Sequence, residues 1–385
     1  MAYRAEIPYG CYWSTPFARW QGTFASLNAV ELAAQVARSE LAKRDIPAGT
    51  FDHGVLGFSV PQKHSFYGLP WLAGMAGLGQ VAGPTIMQAC ATGVRTLLAG
   101  AQEIESGLSQ ATLSLTCDRT SNGPHLYYPN PRGPGGTGAH EDWVMDNFKC
   151  DPLGPHAMLQ TAENVAAKHG ISTAEQHEVV LMREAQYKEA LGGFHQRFMS
   201  CATPLESDEG IRFSTAEGLA KLNPVLEGGT VTYGAQTHPA DGNAGIVLAT
   251  PERAKALSRD PHIRVRLLGF GQARAALAFM PEAPVPAAKR ALEQAGVEMR
   301  DLSAIKTHNP FALNDILFSR LTGAELGQMN NFGSSLVWGH PQAPTASRAI
   351  IELIEELALR GGGYGLFTGC AAGDSAMAVV LRVSE

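Results

Sequence analysis

The chain has 385 residues, 45% of them hydrophobic, with 30 basic and 36 acidic side chains and a net charge of -6. That length suits two or three units of roughly 100 to 200 residues, and a slightly acidic chain without a Lys/Arg cluster lacks the electrostatic footprint of a nucleic-acid binder. No run reaches the roughly 18 apolar residues of a membrane span and Met1 to Trp20 lacks the order of a signal peptide, so no membrane partner is expected and the expected address is the cytoplasm.

Leu27 to Lys43 carries apolar residues at helical spacing, Phe51 to Val60 reads as turn then strand, and Thr85 to Ala89 as a second strand. After Cys90, the positions Val94, Leu97, Leu98, Ala101 and Ile104 follow the i, i+3, i+4, i+7 rule of a helix with one buried face. Ala111 to Thr116 is the next strand. The stretch Asp118 to Gly138, with "YYPNPRGPGGTG", is too rich in Gly and Pro for helix or central strand. Two helical segments follow, "HAMLQTAENVAAKHG" and "TAEQHEVVLMREAQYKEAL", the second capped by Ser172 or Thr173 with Glu175 placed for a capping box. From Ala244 the strand and helix alternation resumes: "IRVRLLGFGQA" (strand), "VPAAKRALEQAG" (helix), "LSAIKTHN" (strand), "PTASRAIIELIEELALRGGG" (helix), then the strands "YGLFTG" and "AMAVVLRV". Strand-helix units on both sides of an insert predict two α/β halves of similar build.

Six cysteines are scattered without a CxxC or CxxH spacing, so neither a disulfide framework nor a single-chain metal site is indicated. Local context singles out Cys90. A strand running through a tight turn into a helix exposes its turn residue at the helix N-terminus, where an anion is favoured and a thiol pKa falls. On position alone a buried structural cysteine explains it equally well. Three other joints carry chemistry: His340 between Gly339 and Pro341, just before a helix; Cys370 in a small-residue turn between two strands, where backbone N–H groups can face a ligand; and His308 at a strand end.

The pieces "TPFARW", "CATG", "MLQTAENVA", "GTVTYGAQTHPADGNAG", "VPAAKRALEQAG", "HNPF", "GHP" and "GCAAGD" resemble the thiolase family, in that order and over nearly the whole chain. The resemblance implies a duplicated five-layered α-β-α-β-α core with an inserted loop domain. Residues 1–117, completed by about 243–263, would form the first half, 118–242 the CoA-binding insert and 264–385 the second half. It implies a CoA-dependent thiolase that cleaves or forms a 3-oxoacyl-CoA through an acyl-cysteine, with coenzyme A as substrate and no permanently bound cofactor. Carried onto this chain, Cys90 is the nucleophile, His340 takes its proton and Cys370 protonates the departing enolate. Backbone N–H groups of Cys90 and Ala372 form the oxyanion hole, and Met158, Thr237, His238 and Phe311 contact CoA or substrate.

The chain departs from the family's usual pattern in several places. His308, Asn309, Pro310 and Phe311 replace the usual Asn-Glu-Ala-Phe, so an imidazole is expected to reach the enolate oxygen directly, with His340. Cys-Ala-Ala replaces Cys-x-Gly after Cys370, and Asp374 adds a carboxylate. Thr237 and His238 replace a common Ser-Gly, Ala157 a common histidine, and Pro344 and Thr345 small residues. Such changes suggest a bulky, branched or aromatic acyl group, with a 2-benzoylsuccinyl-CoA thiolase as one narrower resemblance and the degradation of aromatic compounds as the setting. A homodimer or tetramer is the family expectation, and some divergent members work with a zinc-ribbon and OB-fold companion, which would have to supply any metal. Two rival readings are a decarboxylating ketoacyl synthase using Cys90, His308 and His340, for which Cys370 is superfluous, and a non-catalytic scaffold subunit, which would be expected to lack one of the four residues.

Overall fold

In the computed structural model, which describes residues 3–385, the chain opens with three short strands, β1 (Glu6–Pro8), β2 (Tyr12–Ser14) and β3 (Ala18–Arg19). Helix α1 (Ala29–Lys43) begins after Asn28, whose side chain accepts from the N–H groups of Val30 and Glu31. Strand β4 (His53–Gly57), helix α2 (Gly68–Met75) and strand β5 (Thr85–Ile86) follow. The strand expected to run to Ala89 therefore stops at Ile86. Ala89 is left-handed, with φ 45°, which a ladder cannot continue, and Ala89–Ala91 form a 3-10 turn that feeds helix α3 (Thr92–Glu105).

Strand β6 (Ala111–Arg119) runs two residues into the Gly/Pro-rich stretch, Asp118 and Arg119 pairing with Gly242 and Asp241; the rest stays out of the main sheet but holds a hairpin of its own, β7 (His125–Tyr128) and β8 (Ala139–Asp142). Helices α4 (Met145–Lys149), α5 (Met158–His169), α6 (Thr173–Ala190) and α7 (Ala216–Leu219) come next. Ser172 is the cap of α6, and both bonds of its capping box with Glu175 are present. The chain then returns to the main sheet with β9 (Ala240–Ala249), α8 (Pro251–Leu257), β10 (Arg264–Arg274), α9 (Pro284–Ala295), β11 (Leu302–His308), α10 (Ala312–Thr322), α11 (Ser335–Trp338), α12 (Ala343–Leu359), β12 (Gly363–Ala371) and β13 (Ser375–Ser384).

The strand order is β11-β12-β13-β10-β1-β9-β6-β4-β5, with β2 and β3 also pairing with β9. Read outward from the β1–β10 contact, the two sides repeat one pattern. On one side β1 pairs antiparallel with β9, β9 antiparallel with β6, and β6, β4 and β5 run parallel. On the other β10 pairs antiparallel with β13, β13 antiparallel with β12, and β12 and β11 run parallel, with Ile305 bridging in parallel to Met329 where β5 would stand. The duplication expected from the alternation of elements is thus explicit in the pairing. The two halves are continuous through β1, a junction too short to read from sequence.

Helices α3 and α12 pack on each other between the two sheet faces, where Val94, Leu97, Ala346, Ile350 and Ile354 share one core with strand residues of both halves. Helices α1 and α2 cover the outer face of the first half, and α9 that of the second. These are the five layers, and the fold is of thiolase type. A further cluster joins α5, α6 and α10 beside Phe311 and Cys370, which seats the segment between β6 and β9 over the strand ends of the second half.

Helix α9 lies against β10 where the strand has Gly269 and Gly271; a β-carbon on Gly271 would collide with the Ala287 carbonyl and lie 2.8 Å from the Ala291 nitrogen. Gly271→Ala should therefore cost about 3 kcal/mol, the upper end of ordinary overpacking, seen as a lower urea midpoint with an unchanged slope.

Candidate active site

The short connection between β5 and α3 sets Cys90 at the base of a cavity of about 700 Å³. Cys90 sits in the 3-10 turn that follows left-handed Ala89, and Thr92 stabilises the joint by donating its hydroxyl to the Ala89 carbonyl at 2.6 Å while accepting the Gln88 N–H at 2.9 Å. The thiol has two partners from a distant part of the chain, His340 Nε2 at 3.1 Å and Gln342 Oε1 at 3.1 Å. Both precede α12, whose N-terminus abuts that of α3. A β-carbon on Gly93 would lie 2.7 Å from Ser347 Oγ and 2.8 Å from the Ala343 oxygen, so only glycine permits this approach.

His340 is buried, its Nδ1 lies 2.6 Å from Thr345 Oγ1, and its N–H donates to the His238 carbonyl at 2.9 Å. The segment before it is the short helix α11, and the chain turns through Gly339 at φ 94° to reach it. Gln342 also has positive φ, 60°, which a side chain resists. The next residue is pinned: Ala343 donates its N–H to Asp118 Oδ2 at 2.9 Å, and the same carboxylate accepts from Ser59 and Val60.

His308, the last residue of β11, is buried with its ring centroid 4.1 Å from that of His340. Its Nδ1 lies 2.8 Å from Ser335 Oγ, and its Nε2 has no hydrogen-bond partner. Cys370 is the next-to-last residue of β12, inside the strand and one residue ahead of the turn expected to hold it. Asn314 Nδ2 lies 3.5 Å from its sulfur.

Burial governs the electrostatics of all four groups. Desolvation pushes the Cys90 thiol up to about 12, against the pull of the Ala372 and Cys90 N–H groups that face its sulfur. The lowering expected from the helix N-terminus, worth about 1 kcal/mol to an anion, is smaller than this desolvation. Desolvation lowers His340 to about 3, with the Gln342 contact opposing, and it depresses His308 well below the usual imidazole range with help from His340. Cys370 is raised by desolvation and by its neighbour Cys90. The resting site is therefore two neutral thiols and two neutral imidazoles.

Cys90, His308, His340, Cys370 and Ala372 line the same cavity, together with Met158, Thr237 and Phe311. His238 does not; its ring packs behind Gly339, and it meets the site only through the carbonyl that holds His340. Asp374 is also turned away, accepting the Ala278 N–H at 2.9 Å to hold the loop after β10. Sequence reasoning missed Gln342, Thr345 as a partner of His340, Ser335, Asn314 and Asp118. The motif "GHPQ" held the only available signal, an amide next to the histidine turn.

Sequence profiles of two domains match the chain, the thiolase N-terminal domain over residues 13–252 and the thiolase C-terminal domain over residues 262–383. The chain belongs to the thiolase family. An acetyl-CoA acetyltransferase of Pseudomonas aeruginosa is 28% identical over 382 residues, covering 95% of this chain and 96% of that protein. The beta-ketothiolase BktB of Cupriavidus necator is 28% identical over 385 residues, covering 96% of each. Among solved structures, human mitochondrial 3-ketoacyl-CoA thiolase superposes with a TM-score of 0.91 at 25% identity over 100% of both chains, and its complex with CoA with the same score at 26% identity. This thiolase is an acyltransferase with coenzyme A as substrate, and its Cys-His-His cluster is of catalytic type.

Because Gly93 sets the distance between thiol and imidazole, Gly93→Ala should lower turnover about 100-fold, the usual effect of a misplacement near 1 Å. Circular dichroism should show the fold retained. Unchanged turnover would mean that the spacing of α3 and α12 does not control the pair.

Proposed function

We propose that this thiolase cleaves a 3-oxoacyl-CoA through an acyl group carried on Cys90. The observation that carries the reading is the 3.1 Å contact between Cys90 Sγ and His340 Nε2 on the wall of a cavity that Cys370 also lines. Cys90 attacks the keto carbon as its proton passes to His340 Nε2, so the neutral pair needs no standing thiolate. The N–H groups of Cys90 and Ala372 receive the keto oxygen as it becomes an oxyanion. The bond between the second and third acyl carbons then breaks, its electrons move onto the thioester as an enolate, and Cys370 delivers its proton to the second carbon. His340, now protonated, and His308, in the tautomer with hydrogen on Nε2, donate to the enolate oxygen. Free CoA gives its thiol proton to the Cys370 thiolate and takes the acyl group, and His340 returns the first proton to Cys90. Condensation is the same sequence in reverse.

A bulky, branched or aromatic acyl group is the substrate class we favour, with 2-benzoylsuccinyl-CoA as a specific candidate. Support comes from the size of the cavity and from Met87, Trp143, Phe148, Met158, Met280 and Phe311 on its walls. Met158, Thr237 and Phe311 are the contacts we assign to CoA or substrate, and residues 118–242 the CoA-binding insert. The thiol of Cys370 favours this chemistry over decarboxylative condensation, which releases CO₂ and needs no second cysteine.

Cys90→Ser should abolish acyl-enzyme formation by intact-mass spectrometry. Cys370→Ala should retain the acyl-enzyme formed from a simple acyl-CoA while cleavage of the 3-oxoacyl-CoA stops; an acyl group on Cys370 would reverse the two roles. His308→Ala should lower cleavage about 100- to 1,000-fold, the cost of one oxyanion donor, with the melting temperature little changed. In a panel of 3-oxoacyl-CoAs, aromatic and branched substrates should show the highest kcat/KM; preference for acetoacetyl-CoA would refute the substrate class.

A further inference from the structure

The hydrogen bonds behind the two imidazoles bias which ring nitrogens carry hydrogen. When the Cys90 S–H points to His340 Nε2 at 3.1 Å rather than to Gln342 Oε1 at 3.1 Å, Nδ1 carries the hydrogen and donates to Thr345 Oγ1 at 2.6 Å. His308 Nδ1 faces Ser335 Oγ at 2.8 Å. That hydroxyl also lies 3.1 Å from Asn309 Oδ1, and the Asn309 amide cannot flip, because its Nδ2 donates to Asp315 Oδ2 at 2.7 Å and to Ser334 Oγ at 3.0 Å. If Ser335 donates to Asn309 Oδ1, its oxygen is free to accept from His308 Nδ1, and two bonds form. If Ser335 donates to His308 Nδ1, only one does. Within the chain, therefore, His308 presents a bare Nε2 to the cavity, and that atom has no hydrogen-bond partner although the residue is only 2% exposed. A bound thioester oxygen reverses the preference, since it rewards a hydrogen on Nε2.

Two imidazole nitrogens of this kind and one thiol converge, with ligating atoms of Cys90, His308 and His340 all within 4.8 Å of one another. We infer that these three side chains form a binding site for a soft divalent cation, Zn²⁺ foremost, which inhibits the enzyme reversibly by occupying its nucleophile. One thiolate and two imidazoles are a ligand set zinc favours, and tetrahedral geometry with bonds of about 2.0 to 2.3 Å separates donor atoms by roughly 3.3 to 3.8 Å. Cys90 Sγ and His340 Nε2 are already 3.1 Å apart, so small side-chain shifts complete the geometry. Each histidine has a hydroxyl on its other nitrogen, which orients a ligating ring. A water or Gln342 Oε1, 3.1 Å from the sulfur, supplies the fourth position. Binding forms the Zn–S bond and releases the thiol proton to solvent. The inhibitory consequence rests on the proposed role of Cys90; the binding itself does not.

The test is site-resolved alkylation of chelator-treated enzyme by iodoacetamide, with and without Zn²⁺, read by peptide mass spectrometry. Zn²⁺ should protect Cys90 at one equivalent per chain, and added chelator should restore labelling. Exposed Cys150 and Cys201 serve as internal controls and should label alike in both conditions. His308→Ala should weaken protection about 10- to 100-fold. In a parallel titration, Co²⁺ should give a thiolate-to-cobalt charge-transfer band that is absent in Cys90→Ser. Labelling of Cys90 unaffected by Zn²⁺, or protection equal in wild type and His308→Ala, would overturn the site. Because alkylation needs no turnover, protection in an enzyme that cleaves none of the 3-oxoacyl-CoAs would defeat the proposed function alone, and cleavage without protection the metal site alone.

Discussion

The close approach of α3 and α12 at Gly93 is the constraint on which the site depends. Two helices from opposite halves of the chain meet with their N-termini together, so residues 250 positions apart in sequence become hydrogen-bonding neighbours. The contact is tied from below. Thr116 of β6 donates to Ser347 of α12 at 3.1 Å, and Asp118, at the end of the same strand, accepts from Ala343 at the start of that helix. A carboxylate buried this fully is costly; desolvation raises its pKa to about 7 even though four hydrogen bonds act to lower it. Both ties run from the first half to the second, which makes the position of His340 relative to Cys90 a property of the whole core rather than of a loop.

The same closeness determines how the nucleophile works. In a more open, polar cleft the helix N-terminus and a neighbouring imidazole would hold a standing thiolate. Here the groups that would stabilise the ion pair sit in a site dry enough to cost more than they return, so thiol and imidazole are both neutral. In the proposed mechanism charge appears only once an electrophile is in place, and the backbone N–H groups of Cys90 and Ala372 receive it.

Local pattern made the core elements legible. The apolar spacing of α3 named its buried face, α9 and α12 were legible as helices in an alternation with strands, and the Gly/Pro content after Cys117 set the inserted segment apart. The four reactive side chains were legible only through motif order, since nothing in the spacing of Cys90, His308, His340 and Cys370 says that they meet. What stayed hidden is what depends on contacts across the chain. Helix α10 follows directly on "HNPF" and has no boundary residue to announce it. Thr345 and Ser335 look like ordinary small polar residues until the fold sets them behind the two histidines, and the depressed or raised pKa values follow from burial, which composition cannot report. The direction of the His238 ring was hidden for a related reason: adjacency to a motif does not say which way a side chain turns.

Duplication explains how one fold came to supply such different groups. Asp118 and Cys370 are each the eighth residue of a nine-residue strand, β6 and β12, which hold equivalent places in the two halves. Cys90 and His340 likewise precede the equivalent helices α3 and α12. Equivalent positions thus carry different groups, a thiol against an imidazole and a carboxylate against a thiol, which in the proposed mechanism become nucleophile against base. The asymmetry is physically required. In the proposed mechanism two nucleophiles at the joint would leave neither with a proton acceptor, and a second carboxylate in place of Cys370 would set a negative charge beside the carbanion that C–C cleavage must accommodate. A thiol held neutral by burial avoids that repulsion while keeping a proton to give.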